Sequence, residues 1–288
     1  MRNRPIRTLF MAAGFMATGL TFTTSAHAGV LDRMNNTLDN LFGVFSDFSP
    51  EQVYNVKVGI GPSLDPRFRG DNDVHLSAVP VVSLRYRDLV SVENNHVRIN
   101  FLGKWGNMTG STQWSAGPII HFDFGRDESD SPKLRGLGNI GTSFELGAYV
   151  GYRTGPYKLR LSFRQDVTNG HHGMLVVGQT SANLASGRNW NVSGNMELTW
   201  ASGAYMSAFY GVTPAQSVAS GLPVYQAKAG LHDLAFNFVG TYQLNRKWSL
   251  LGTMGISRLL SSAANNPLVE QRGSPNQAQI AGFVIYSF

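Results

Sequence analysis

The 288-residue sequence contains no cysteine, which excludes a disulfide scaffold and every thiolate metal centre. That absence suits an exported protein that does without thiol chemistry. Positive charge is scarcer than the formal net +6 suggests, because Arg2, Arg4 and Arg7 lie in a segment expected to be removed. Without them the net charge is +3, and no cluster of Lys and Arg remains to suggest a nucleic-acid partner. A long apolar run is missing too. Residues 9–20 are too short to span a bilayer, and Thr21, Thr23, Thr24 and Ser25 break the run beyond them.

The N-terminus does hold a basic start, a short apolar stretch and the A-x-A site Ala26-His27-Ala28, the pattern of a signal peptide cleaved after Ala28. Residues 29–52 then read as an amphipathic helix and linker. Leu31, Met34, Leu38, Leu41, Phe42, Phe45 and Phe48 recur at steps of three and four. Such a helix lies in the periplasm or plugs a lumen. Composition is even beyond it, so residues 53–288 read as one domain.

Within that domain the apolar period is two. Tyr157, Leu159, Leu161 and Phe163 alternate with Lys158, Arg160, Ser162, Arg164 and Asp166, and residues 190–200 and 234–244 repeat the pattern. Segments at 54–61, 79–87, 90–102, 113–125, 142–153, 173–182, 204–212, 248–257 and 277–288 bring the expected strands to twelve. Strands of about ten residues with aromatics at their ends (Trp114, Tyr152, Tyr157, Trp190, Trp200, Tyr242, Trp248) match an antiparallel transmembrane β-barrel. A soluble sandwich has strands nearer five or six residues. Ile280, Val284, Tyr286 and Phe288 share one face of the last segment, as in the recognition signal that outer-membrane barrels present for insertion.

An even strand number puts both termini in the periplasm. Counting from there, 62–78, 103–112, 154–156, 183–189, 213–231 and 260–276 are expected outside, and 88–89, 201–202 and 245–247 are periplasmic turns. The longer connections 126–139 and 167–173 also fall on the periplasmic side. They nominate Arg126, Asp127, Leu134, His171 and His172 as an interaction site.

The chain resembles the MipA/OmpV family of outer-membrane proteins over roughly residues 53–288. The resemblance rests on Thr199-Trp200-Ala201, Tyr205-Met206, Tyr210-Gly211-Val212-Thr213, Gln216, Ser220-Gly221-Leu222-Pro223-Val224-Tyr225 and Ala229-Gly230-Leu231. Gly117-Pro118, Gly125-Arg126-Asp127, residues 134–138, His172-Gly173, Arg258-Leu259, Asn266-Pro267-Leu268-Val269 and the ending Tyr286-Ser287-Phe288 add support. The pair Asn266-Pro267 departs from the family's Ser-Pro. The resemblance implies a non-enzymatic scaffold of the cell envelope, surrounded by outer-membrane lipid, that links a lytic transglycosylase to a murein synthase.

A small-solute channel is the alternative. Expected lumen-lining charges are Lys57, Arg85, Arg98, Glu145, Lys158, Arg160, Arg164 and Glu197, with Asp166, and they need water or mutual pairing. An outer-membrane hydrolase would draw on His121, His171, His172 or His232 with Asp123, Asp166 or Asp233, but none sits in a local motif. The G-x-G-x-x-G match at residues 136–141 opens a strand instead of a helix, which removes the nucleotide reading. No cofactor and no metal are expected.

Overall fold

The computed structural model describes residues 54–87, 89–102 and 112–288. There the period-two pattern becomes a closed antiparallel barrel of twelve strands. They are β1 (Tyr54–Pro66), β2 (Val74–Tyr86), β3 (Val90–Glu93), β4 (His96–Ile99), β5 (Thr112–Asp123), β6 (Ser143–Thr154), β7 (Tyr157–Asp166), β8 (Met174–Ser186), β9 (Trp190–Ala201), β10 (Gly230–Gln243), β11 (Trp248–Leu259) and β12 (Asn276–Ser287). Each pairs with its sequence neighbour, and β1 closes on β12 with Val58 opposite Tyr286 and Ile60 opposite Val284. The expected signal peptide and the 30–48 helix lie outside the described residues.

Side-chain alternation sets the two faces. On β7, Tyr157, Leu159, Leu161 and Phe163 are exposed on the outside, while Ser162, Arg164 and Asp166 are buried within. An apolar outer surface around a polar interior is what a bilayer selects. Part of the inner wall is nevertheless apolar, with Val79, Val81, Val239, Leu251, Phe283 and Ile285 packed together. The ring closes strand to strand, although β3 pairs only with Ser83 to Tyr86 of β2.

Tyr54 and Ser287 stand at the same end of the barrel, with short connections at 87–89, 155–156, 187–189 and 244–247. The pairs Trp114–Tyr152, Trp248–Tyr286 and Tyr286–Phe288 ring that end. The opposite end carries the long connections 67–73, 124–142, 167–173, 202–229 and 260–275. These fold into a cap containing α1 (Gly203–Tyr210), α2 (Pro214–Ser220), α3 (Ser261–Ala264), α4 (Pro267–Arg272) and two 3₁₀ turns at Glu128–Asp130 and Pro132–Leu134. The cap has apolar cores of its own. One joins Tyr205, Met206, Tyr210, Leu259 and Val269, another Phe68, Leu134, Leu137, Leu222 and Leu268.

Two sequence expectations are corrected. Residues 90–102 do not form one strand. They contain the hairpin β3–β4, turned at Asn94-Asn95 with Asn94 at φ 48, the positive value a two-residue hairpin turn asks for. Residues 204–212 are no strand either; they lie largely in α1, which Ser202 caps by accepting the Tyr205 N–H. One strand added and one removed keep the count at twelve, but every connection between them changes ends. The connections at 126–139 and 167–173 therefore lie opposite the termini, so Arg126, Asp127, Leu134, His171 and His172 are not on the termini's side. The turn expected at 201–202 opens the long cap connection, whereas 154–156, 183–189 and Thr112, the described end of the 103–112 connection, lie towards the termini.

Candidate functional site

Just inside the capped end, a row of polar residues crosses the inner wall. His96 on β4, His121 on β5, Glu145 on β6 and Asp166 on β7 stand opposite one another in register, so their side chains meet on one face. Glu145 is the hub and is completely buried. One carboxylate oxygen accepts from His121 Nδ1 at 2.8 Å and faces Arg164 Nε at 3.4 Å. The other accepts from His171 Nε2 at 3.0 Å.

Neighbours fix both imidazoles. The Gly173 N–H donates to His171 Nδ1 at 3.0 Å, so that ring carries its proton on Nε2. Asn95 Nδ2 donates to the Phe122 carbonyl at 2.6 Å and meets His121 Nε2 at 3.2 Å, which leaves the His121 proton on Nδ1. Asp123, Glu145 and His171 bring potential ligand atoms within 4.8 Å of one another. A cation would need the His171 lone pair that the proton occupies, and it would sit beside Arg164. The donor set therefore fits a hydrogen-bonded hub and not a metal centre.

Asp166 draws the next connection inward. Its carboxylate accepts from the backbone N–H groups of Thr168 at 2.8 Å, His171 at 2.9 Å and His172 at 2.8 Å. Tyr205 on α1 then meets His171 edge-on at 4.9 Å between ring centroids, and His232 at 5.5 Å. Beyond it runs a second buried chain. Tyr210 Oη lies 2.8 Å from His232 Nε2, His232 Nδ1 lies 2.5 Å from Asp233, and Asp233 faces Arg69 at 3.8 Å. Such a chain orients and polarises the Tyr210 hydroxyl.

Tyr205, Phe209 and Tyr210 wall a cavity with Arg67, Phe68, Arg69, Asp123, Arg126 and Asp130. The connection at residues 126–139 supplies Arg126 and Asp130 to its wall. Glu128 accepts from the N–H groups of Gly136 at 2.8 Å and Gly138 at 2.9 Å, and these bonds hold its carboxyl below the usual glutamate range. The glycine motif is thus an anion nest filled by the chain's own carboxylate. Asp127, which caps the adjoining 3₁₀ turn, is likewise lowered by the Ser129 N–H. Burial works to lower Lys133, but its bonds to Asp71 at 2.7 Å and Asp73 at 2.8 Å prevail and raise it. Lys133 also bonds Asn72, and its carbonyl accepts from Arg272 at 2.9 Å.

Of the five nominated interaction residues, Arg126, Leu134 and His171 are buried in the cap and His172 is exposed, while Asp127 is partly so. The nominated lining charges do face inward. Glu93 bridges Arg85 and Arg98 at 3.1 Å each, and Arg160 bonds Gln179, which bonds Glu197. Sequence reasoning misses Glu93 and His96 because a single strand over 90–102 hides the turn beside them. It misses Tyr205 and Tyr210 because a strand over 204–212 hides α1. The absence of β-branched residues from Gly203 to Gly211 is the available signal.

A family model described as "MltA-interacting protein MipA" matches residues 58–288. No curated protein matches the chain. Among solved structures, a bacterial polysaccharide outer membrane secretin is 10% identical with a TM-score of 0.39, covering 82% of this chain and 98% of that one. The translocator domain of autotransporter NalP from Neisseria meningitidis is 9% identical with a TM-score of 0.37, covering 92% and 97%. OprD from Pseudomonas aeruginosa is 8% identical with a TM-score of 0.36, covering 83% and 68%. These likenesses are too distant to bear on function.

Proposed function

This chain belongs to the MipA family, and we propose that it is an interaction scaffold of the outer membrane that engages a lytic transglycosylase and, with it, a murein synthase. The observation that carries this reading over a conducting one is the state of the lumen. Glu93, Arg98, Glu145, Arg164 and Glu197 are all buried, and most of these charges are joined in ion pairs. They stand across from an apolar wall. Side chains committed to one another in this way narrow the wet path that a solute would need.

The contact surface in this reading is the end that carries both termini, which in an even-stranded barrel is periplasmic. Its turns and strand ends expose Arg87, Arg153, Arg188, Arg246 and Lys247, against the one carboxylate, Asp88, that the sequence of those turns contains. Such a rim suits an acidic partner surface. The test is crosslinking in intact cells from photoreactive residues placed at Arg188 and Arg246, with Val218 on the cap as the control. A transglycosylase adduct from the first two positions alone is expected. No adduct, or one from position 218 only, rejects the scaffold.

A further inference from the structure

We propose that the cavity between the ends of β1 and β5 and helix α1 is a binding site for an oxyanion, phosphate or carboxylate, held by the guanidinium of Arg126. The site lies at the end opposite the scaffold surface, and its existence does not depend on that reading.

The two other arginines as buried as this one in the described structure set the standard: Arg98 has Glu93 and Arg164 has Glu145. Arg126 is only 7% exposed and makes no ion pair among the described residues, Asp130 and Tyr210 acting on its charge only at longer range. Among the described residues its guanidinium makes one hydrogen bond, from Nη1 to the Phe209 carbonyl at 2.8 Å. Nε is buried without a partner among the described residues.

An ionised group withdrawn from water needs a counter-charge, and leaving one out is costly. Burial pushes Arg126 down to about 10, which leaves it a cation at neutral pH. With Nη1 engaged, the Nε–Nη2 edge remains. That edge meets a carboxylate or phosphate through two parallel bonds.

The surroundings favour the same class of ligand. Arg67 lines the cavity beside Arg126, together with Arg69, which also faces Asp233, and the carboxylates of Asp123 and Asp130. Both carboxylates already accept backbone N–H groups, Asp123 from Gly125 at 2.7 Å and Asp130 from Asp127 at 2.9 Å. Phe68, Tyr205, Phe209 and Tyr210 form walls of low polarity, where an ionic contact gains strength. The cavity volume is about 30 Å³, which limits a ligand's buried part to a single small oxyanion group.

The oxyanion has two possible sources, the head group of a membrane lipid and a free solute. Full-length folded protein in a zwitterionic detergent is titrated calorimetrically with inorganic phosphate and with acetate. In parallel it is reconstituted into phosphatidylcholine vesicles containing phosphatidic acid, and bound lipid is counted by native mass spectrometry. Wild-type protein is expected to bind at least one probe. R126Q should weaken that binding at least about tenfold, and R67Q, on the rim, several-fold. Phosphatidic acid without the free anions identifies a lipid ligand, whereas binding of phosphate or acetate identifies a solute. If folded wild type binds none of the three at millimolar concentration, or if both variants bind as wild type does, the site is rejected. Should R126Q fail to fold, R67Q decides.

Discussion

The interior of this barrel is held by single carboxylates that serve several donors at once. Removing the Glu145 carboxylate as Glu145→Ala strands Arg164 and takes an acceptor from both His121 and His171. Breaking a buried pair from one side costs about 3–5 kcal/mol. The variant should therefore lose its compact gel mobility at a clearly lower temperature, and Glu145→Gln, which keeps an acceptor, should lose less. Equal melting of all three proteins would show that the hub is not structural. Glu128 makes a prediction in pH. Its carboxyl lies below the glutamate range because it accepts from Gly136 and Gly138. A folded-state value below the unfolded one stabilises fully above the unfolded range, and the contribution disappears as pH falls through the lowered value. Amide exchange at Gly136 and Gly138, corrected for intrinsic rate, should be slow at neutral pH and accelerate only in strong acid. In Glu128→Ala it should be fast throughout.

At the scale of elements, long strands were legible and short ones were not. β7, β9 and β10 alternate over ten or more residues with aromatics at their ends, and no helix reproduces that period. β3 and β4 have four residues each, too few for a period to show, and only the pair Asn94-Asn95 marks the turn between them. In α1, the buried Tyr205, Met206 and Tyr210 lie on one helical face, but eight residues give two turns, and alternation can imitate that. Thr213-Pro214 with Gln216 is a legible capping box and opens α2. The short hairpin has a further consequence. β3 reaches only Ser83 on β2, with Asn94 bonding Val82, so residues 74–81 pair with β1 and with no described strand on the other edge. Hydrocarbon does not tolerate unpaired backbone groups, so this stretch should stand in water. Roughly half of its amides, those directed away from β1, should exchange much faster than those of Ser83 to Tyr86. Uniform protection along β2 would mean that another segment covers the edge.

For the molecule as a whole, the decisive quantity is which end faces which compartment. Reading 90–102 as one strand and 204–212 as another leaves twelve strands and the same position for both termini, so no count could reveal the error. Only the connections between those points moved, and they include every residue nominated as a periplasmic interaction site. Lys57 and the other lining charges never depended on ends. Which side chains face inward was therefore legible from alternation, whereas the end at which a connection lies was not, because that end is a parity summed over all preceding strands. Labelling can read that parity directly, since the chain has no cysteine of its own to give background. Single cysteines at Val218, which is 89% exposed on α2, and at Arg135 mark the cap. Cysteines at Arg188 and Lys247 mark the opposite turns. A membrane-impermeant maleimide applied to intact cells should label the cap pair alone, and permeabilising the outer membrane should add the other pair. The reverse pattern would place the cap and Arg126 in the periplasm, and with them the surface that a murein enzyme meets. The expected pattern leaves the basic turns facing the murein and gives the cap cavity access only to ligands arriving from outside or from the outer leaflet.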